Sequence, residues 1–291
     1  MPSTLSSPFT PQATQPAPNG QPPQAAAEAL TVTPDMALEW TGLNTRNRPV
    51  RYPKVAQFAR DMKAGQWVLN GETIKIAADG TMLDGQHRLY ACIQAGTPFA
   101  TYVIRGLPPE TQNTIDTGMP RKMADQLALR GEKSTALLAA ITRWAFKWLH
   151  GVRMTGGRDQ EPSHTEMTAL IDADPRLRDA AIWAEHARGR FKSVNGSVYG
   201  MAWLLFHGSD HIAAEVFLEK ILSGENCAAG DPALAFRNRI WKARENGERL
   251  TQHEQLGYMI LAWNAFKEDR KLTRLNEPRG GFKPVTFPEP A

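Results

Sequence analysis

The run Leu83-Asp84-Gly85-Gln86-His87-Arg88-Leu89 places a glycine between an acidic residue and a histidine–arginine pair. These residue types at this spacing suit the binding of a phosphate. Gly85 lets the backbone approach an anion closely, and Arg88 offers phosphate oxygens a forked, charge-assisted contact. His87 supplies a hydrogen-bond donor or a proton carrier near neutral pH, and Gln86 completes the turn. Asp84 has two readings, as a cap on the following helix or as a carboxylate that orients Arg88 or joins a magnesium ion beside the phosphates. A solvated surface turn would use the same residue types, so the flanking elements decide what the run is worth.

Those elements are the ones an anion site needs. Thr73-Ile74-Lys75-Ile76-Ala77 alternates as a strand, Ala78 to Thr81 has hairpin-turn chemistry, and Met82-Leu83 opens the next short strand. Leu89, Cys92 and Ile93 then recur at helical spacing until Gly96. The Gly85 turn therefore stands after a strand and before a helix, where unpaired N–H groups and the positive end of the helix dipole attract negative charge. Further strands are expected at Leu30 onward, followed by a turn at Pro34 and Asp35, and at Phe99 to Ile104. Val55, Phe58, Ala59 and Met62 mark an amphipathic helix from Tyr52 to Gly65. A turn or helix is expected from Pro108 to Gln112. The expected architecture is α+β, with a small mixed α/β domain over 29–130 and an all-α helical domain over 131–275. Apolar stripes place the helices of the second domain at 134–150, 164–171, 176–187, 198–206, 211–222, 232–246 and 251–268. Residues 1–28, rich in Pro, Ala and Gln, read as a disordered tail, and 276–291 as a Pro/Gly-rich tail that is loose or wraps the surface.

The central run resembles the ParB/sulfiredoxin superfamily, and within it the phage and plasmid branch that carries Leu-Asp-Gly-Gln-His-Arg-Leu. The likeness extends to Asn47-Arg48-Pro49, to Asn70-Gly71-Glu72-Thr73-Ile74, and to Ile115-Asp116-Thr117-Gly118 followed by Arg121 and Asp125, and so spans about 30 to 130. It implies a phosphate- or nucleotide-binding set of Arg48, Asp84, Gly85, Gln86, His87, Arg88, Asp116 and Arg121. It implies as ligand a nucleotide such as CTP or ATP with magnesium, as further partners DNA and a second copy of the chain, and a role in phage or plasmid DNA metabolism. Glu72 falls where kinase-like relatives carry a base that accepts a proton from an attacking hydroxyl, so Glu72 and His87 are the catalytic candidates for nucleotide hydrolysis or phosphoryl transfer. A solvated Glu72 on a hairpin edge is the other reading. Gln86 stands where sulfiredoxins have their cysteine, and Cys92 lies about two helical turns on, so that reaction is not expected. His87 replaces the first of the paired arginines of partition proteins. A second function from a different class stays open: a DNA-binding regulator without turnover that uses the same turn.

Composition bounds these readings without choosing between them. Hydrophobic residues make up 42% and charged residues 22% of 291 positions, enough to build a core, and the net charge of +4 attracts polyanions only where it is clustered. Arg237 to Arg244, Arg270 to Arg274 and Arg188 to Lys192 are basic runs, yet Glu245, Glu248, Glu268 and Asp269 are interleaved with them. Trp144, Trp148, Trp183, Trp203, Trp241 and Trp263 fall on apolar faces and are expected in the core. Cys92 and Cys227 stand far apart with no CxxC or Cys/His cluster around either, which argues against a structural zinc site or a disulfide framework and predicts two reduced, buried thiols. No apolar run is long enough to span a membrane and no secretory pattern opens the chain, so a cytoplasmic protein is expected.

Overall fold

The computed structural model describes residues 25–44, 47–115, 121–154 and 160–291. Its first part is a four-stranded mixed sheet, β1 (Ala26–Val32), β2 (Thr73–Ala77), β3 (Met82–Asp84) and β4 (Phe99–Leu107), in the order β1-β4-β2-β3. β1 and β4 pair antiparallel, β4 and β2 parallel, and β2 and β3 close the antiparallel hairpin read from Ala78 to Thr81. Burial alternates along β4, with Phe99, Thr101 and Val103 inward and Tyr102 outward, as the two-residue period of a half-covered sheet requires.

Three helices cover that inner face: α1 (Pro34–Thr41), α2 (Tyr52–Lys63) and α3 (Gln86–Ala95). Val55, Ala59 and Met62 of α2 and Leu89 and Cys92 of α3 meet Ile74, Ile76 and Val103 in one apolar cluster. The turn expected at Pro34 and Asp35 is instead the start of α1. Thr33 accepts a hydrogen bond from the Met36 N–H, and Pro34 occupies a first-turn position where its missing N–H costs nothing. The N-terminal strand also begins three residues inside the segment expected to be disordered.

From Met123 the described chain is helical: α4 (Met123–Leu129), α5 (Thr135–Leu149), α6 (His164–Ala173), α7 (Arg176–Arg190), α8 (Gly196–Ser209), α9 (His211–Ser223), α10 (Pro232–Glu245) and α11 (Gln252–Lys267). α8 is apolar on most of its faces because α5, α7, α9 and α11 all pack around it. The segment expected as a C-terminal tail belongs to this core. Phe282 and Phe287 are buried, and Phe282 lies so close to α11 that a Cβ on Gly257 would sit 2.5 Å from its ring. Most of the tryptophans pack as expected, but Trp241 is half exposed; Cys92 is buried whereas Cys227 is only partly so. No helix among the described residues is long and apolar enough to cross a membrane.

The two parts meet where α2 receives the chain leading into α6. Arg60 holds Glu166 through two hydrogen bonds of 2.7 and 3.1 Å and reaches the Glu161 carbonyl, and Gln57 donates to the carbonyls of Glu161 and Pro162. Buried Asp61 accepts from the Ser163 hydroxyl at 2.7 Å. Ser163 and Glu166 also form the capping box of α6, so the same two side chains start that helix and dock it.

Candidate functional site

A cleft of about 920 Å³ opens at this junction. Glu72, Asp84, Gly85, His87 and Arg88 form its floor. The N-terminal end of α2 with Arg48, Arg51 and Lys54 forms one rim, and Arg143 of α5 with 161–165 the other.

The floor is built by constraints that begin in the sequence. Gly85 has φ +111°, a conformation that side chains disfavour, and an added Cβ would stand 2.9 Å from Cγ1 of buried Ile74. Only glycine lets β3 turn this tightly over β2 into α3. No side chain caps the α3 N-terminus, which faces the cleft. Of the capping role considered for Asp84, only a contact with the N–H of Gly85, the N-cap residue itself, is present. Asp84 Oδ1 accepts from the Gly85 N–H, and its Oδ2 accepts from Lys75 at 2.9 Å and Arg88 at 3.2 Å. Burial pushes this carboxyl upward, but Arg88, Lys75 and the Gly85 N–H outweigh it and hold Asp84 below the usual carboxylate range.

Arg88 is 8% exposed and lies between two carboxylates, Asp84 and, at 3.7 Å, Glu72. Its Nη1 is buried and makes no hydrogen bond. Glu72 Oε2, 3.7 Å from that nitrogen, pairs with its charge but is beyond hydrogen-bond reach, so an oxyanion placed in the gap would supply the missing acceptor. Glu72 is largely exposed on the other side of that gap, so the carboxylate and the phosphate turn share one pocket.

The remaining sequence-read residues divide. Gln86 is buried and does not line the cleft: its amide accepts from Asn44 at 3.0 Å and donates to the Arg48 carbonyl at 2.9 Å, which fixes the segment leading into α2. Asn47 works with it by donating to the Met82 carbonyl and to Asn44. Arg48 reaches the rim as expected. Arg121 is exposed and outside the cleft lining, and Asp116 lies outside the described residues.

His87 lines the cleft, but its Nε2 accepts from the Arg51 N–H at 3.0 Å, which leaves the single proton of the neutral ring on Nδ1. Proton transfer at Nε2 would break that bond, so the geometry favours a positioning role over the catalytic one. Burial, followed by the charges of Arg48 and Arg51, holds His87 below its ordinary pKa. The unfolded chain therefore binds a proton that the native state refuses, and stability should fall as pH drops below about 6.5. His164 and His253, also lowered first by burial, add in the same direction. Thermal unfolding followed from pH 7.5 to 5.5 should show this decline, with a shallower slope in His87→Gln. Equal slopes would detach His87 from the effect.

Sequence reading missed Arg51, Lys54, Arg143 and His164. Arg51 and Lys54 carried a signal, because basic residues with no acidic one in the first turn oppose the dipole of α2. Arg143 and His164 carried none, since long-range packing brings them here. Members of the three basic runs are paired within the chain, Arg190 with Glu219, Arg239 with Glu248, Arg188 with Glu185 and Arg270 with Glu268, and the run from Arg270 to Arg274 lies beyond the end of α11. Among the cleft carboxylates, Glu161 pairs with Arg143 and Lys147, and Glu72 is largely exposed beside Arg88. Asp84 is engaged by two cations and Asp61 by Ser163, with burial raising the Asp61 pKa first. Cys92 donates to backbone carbonyls, and burial pushes its thiol up to about 11, far from the reactive thiolate of a sulfiredoxin. No family model matches the chain, and no curated protein or solved structure matches it either.

Proposed function

We propose that the cleft binds the phosphates of a nucleotide such as CTP or ATP and that the chain hydrolyses it or transfers its terminal phosphoryl group. The observation that carries this reading is Arg88 Nη1, buried, making no hydrogen bond and standing 3.7 Å from Glu72 Oε2, beside the α3 N-terminus. In the proposed reaction Arg88 and the Gly85 turn hold the phosphoryl oxygens while a hydroxyl or water attacks phosphorus. The bond to the leaving diphosphate breaks, and the proton of the nucleophile passes to Glu72. Arg48, Arg51 and Lys54 at the rim suit the rest of a polyanionic ligand. The likeness of the central run to phage and plasmid proteins supports a role in DNA metabolism.

Glu72→Gln tests the catalytic half. A general base contributes about 10²–10⁴-fold, so turnover should fall by that factor. Binding should hold or tighten, since a negative charge leaves the neighbourhood of the phosphates. Calorimetry across ATP, CTP, GTP and their diphosphates, with and without magnesium, reads the binding, and phosphate release reads the turnover. Binding without turnover in the wild type would remove the enzyme. Salt-sensitive binding of DNA with none of any nucleotide would replace it by a regulator that holds DNA phosphate on the same turn.

A further inference from the structure

At the corner between α8 and α9, His207, His211 and Glu215 bring three ligand atoms within 4.8 Å of one another. His211 and Glu215 stand four residues apart on one face of α9, and His207, in the last turn of α8, is brought to them across the extended Asp210 that separates the two helices.

We propose that these three side chains form a binding site for a divalent transition cation of the zinc type. His207 carries the inference. Its side chain is 5% exposed and stacks on Trp203 at 4.0 Å, so the ring is fixed. Nδ1 lies 2.9 Å from the Trp203 carbonyl and Nε2 lies 2.9 Å from Glu215 Oε1, so both ring nitrogens face oxygen acceptors. A neutral imidazole has one proton to offer two acceptors, and a cation at Nε2 meets the second demand. The Nδ1–H donated to a main-chain carbonyl is the orientation that metal-bound histidines adopt.

The distances agree with this occupant. Ligand atoms in a tetrahedral zinc site stand about 3.3 Å apart, given bonds of about 2.0–2.1 Å. The 2.9 Å between His207 and Glu215 is close to that, and His211 and Glu215 are exposed and can turn to close the remainder. Two imidazoles and one carboxylate favour zinc, cobalt or nickel over magnesium or calcium. Three protein ligands leave a fourth position to solvent, and the ion would pin the end of α8 to the first turns of α9.

The test is a cobalt(II) titration of the full chain after chelator treatment, read by visible absorption. One equivalent should develop the bands of a low-coordinate nitrogen–oxygen site, and zinc should displace them. His211→Gln and Glu215→Gln alter exposed side chains and leave the fold intact by circular dichroism, and each should weaken cobalt binding by at least about tenfold. Saturating zinc should raise the Tm of the wild type and leave that of His211→Gln unchanged. Absence of the bands at one equivalent would overturn the site. Bands that persist in both variants would overturn it as well, by placing the metal elsewhere.

Discussion

Replacing Arg88 with Met should abolish nucleotide binding at ordinary ligand concentrations. A guanidinium that makes two hydrogen bonds to an ionised phosphate supplies about 1.5–3 kcal/mol for each. The dissociation constant should therefore rise by at least about two orders of magnitude. The fold should survive. Asp84 keeps Lys75 and the Gly85 N–H, and the apolar stem of Met fills much of the volume that Arg88 occupies. The variant also loses a buried nitrogen that makes no hydrogen bond, which offsets part of the broken ion pairs with Asp84 and Glu72. A Tm within a few degrees of wild type together with lost binding would separate the ligand role from a structural one. Arg88→Lys should recover part of the affinity, because it keeps the charge and loses the fork. Wild-type affinity in Arg88→Met would move the ligand off the α3 turn and onto the rim.

How much of this site can be read from the sequence depends on how far apart its parts lie along the chain. The floor is local: a strand, a turn and a helix within a few residues of Gly85, with periodicities visible in Ile74, Ile76, Leu89 and Cys92. The helices from α5 to α11 are legible for the same reason. α1 was not, because Thr33-Pro34-Asp35 serves a helix cap as well as it serves a turn, and only the packing of Ala37 and Trp40 distinguishes the two. The second wall of the cleft was not, because the ion pair of Arg60 with Glu166 and the bond of Asp61 to Ser163 join residues about a hundred positions apart. Gln86 shows a different limit. Its place in the run suggested the ligand, while its amide faces Asn44 and the Arg48 carbonyl. A motif fixes which residues stand together and leaves open which way each one points.

Gly85→Ala should be the most destabilising single-methyl change in the cleft, and it separates the two reasons for that glycine. Residues with a side chain at φ near +111° carry about 1–3 kcal/mol of backbone strain. The added Cβ would also stand 2.9 Å from Ile74 Cγ1 and 3.3 Å from Ile74 Cα, and overpacking of that kind adds about 1–3 kcal/mol. Denaturant unfolding should therefore lose roughly 2–6 kcal/mol. Because Ile74 is fully buried in the centre of the sheet, the clash has no solvent side on which to relax. Truncating Ile74 to Ala removes Cγ1 but leaves the backbone approach and the φ strain. A double-mutant cycle should thus show only partial coupling, with Gly85→Ala still costly on the Ile74→Ala background. Full rescue would mean that the turn tolerates a side chain and that the close approach to β2 alone demands glycine. Failure of rescue would locate the requirement in the backbone, at the point where the chain must turn to set Asp84 and Arg88 side by side on the cleft floor.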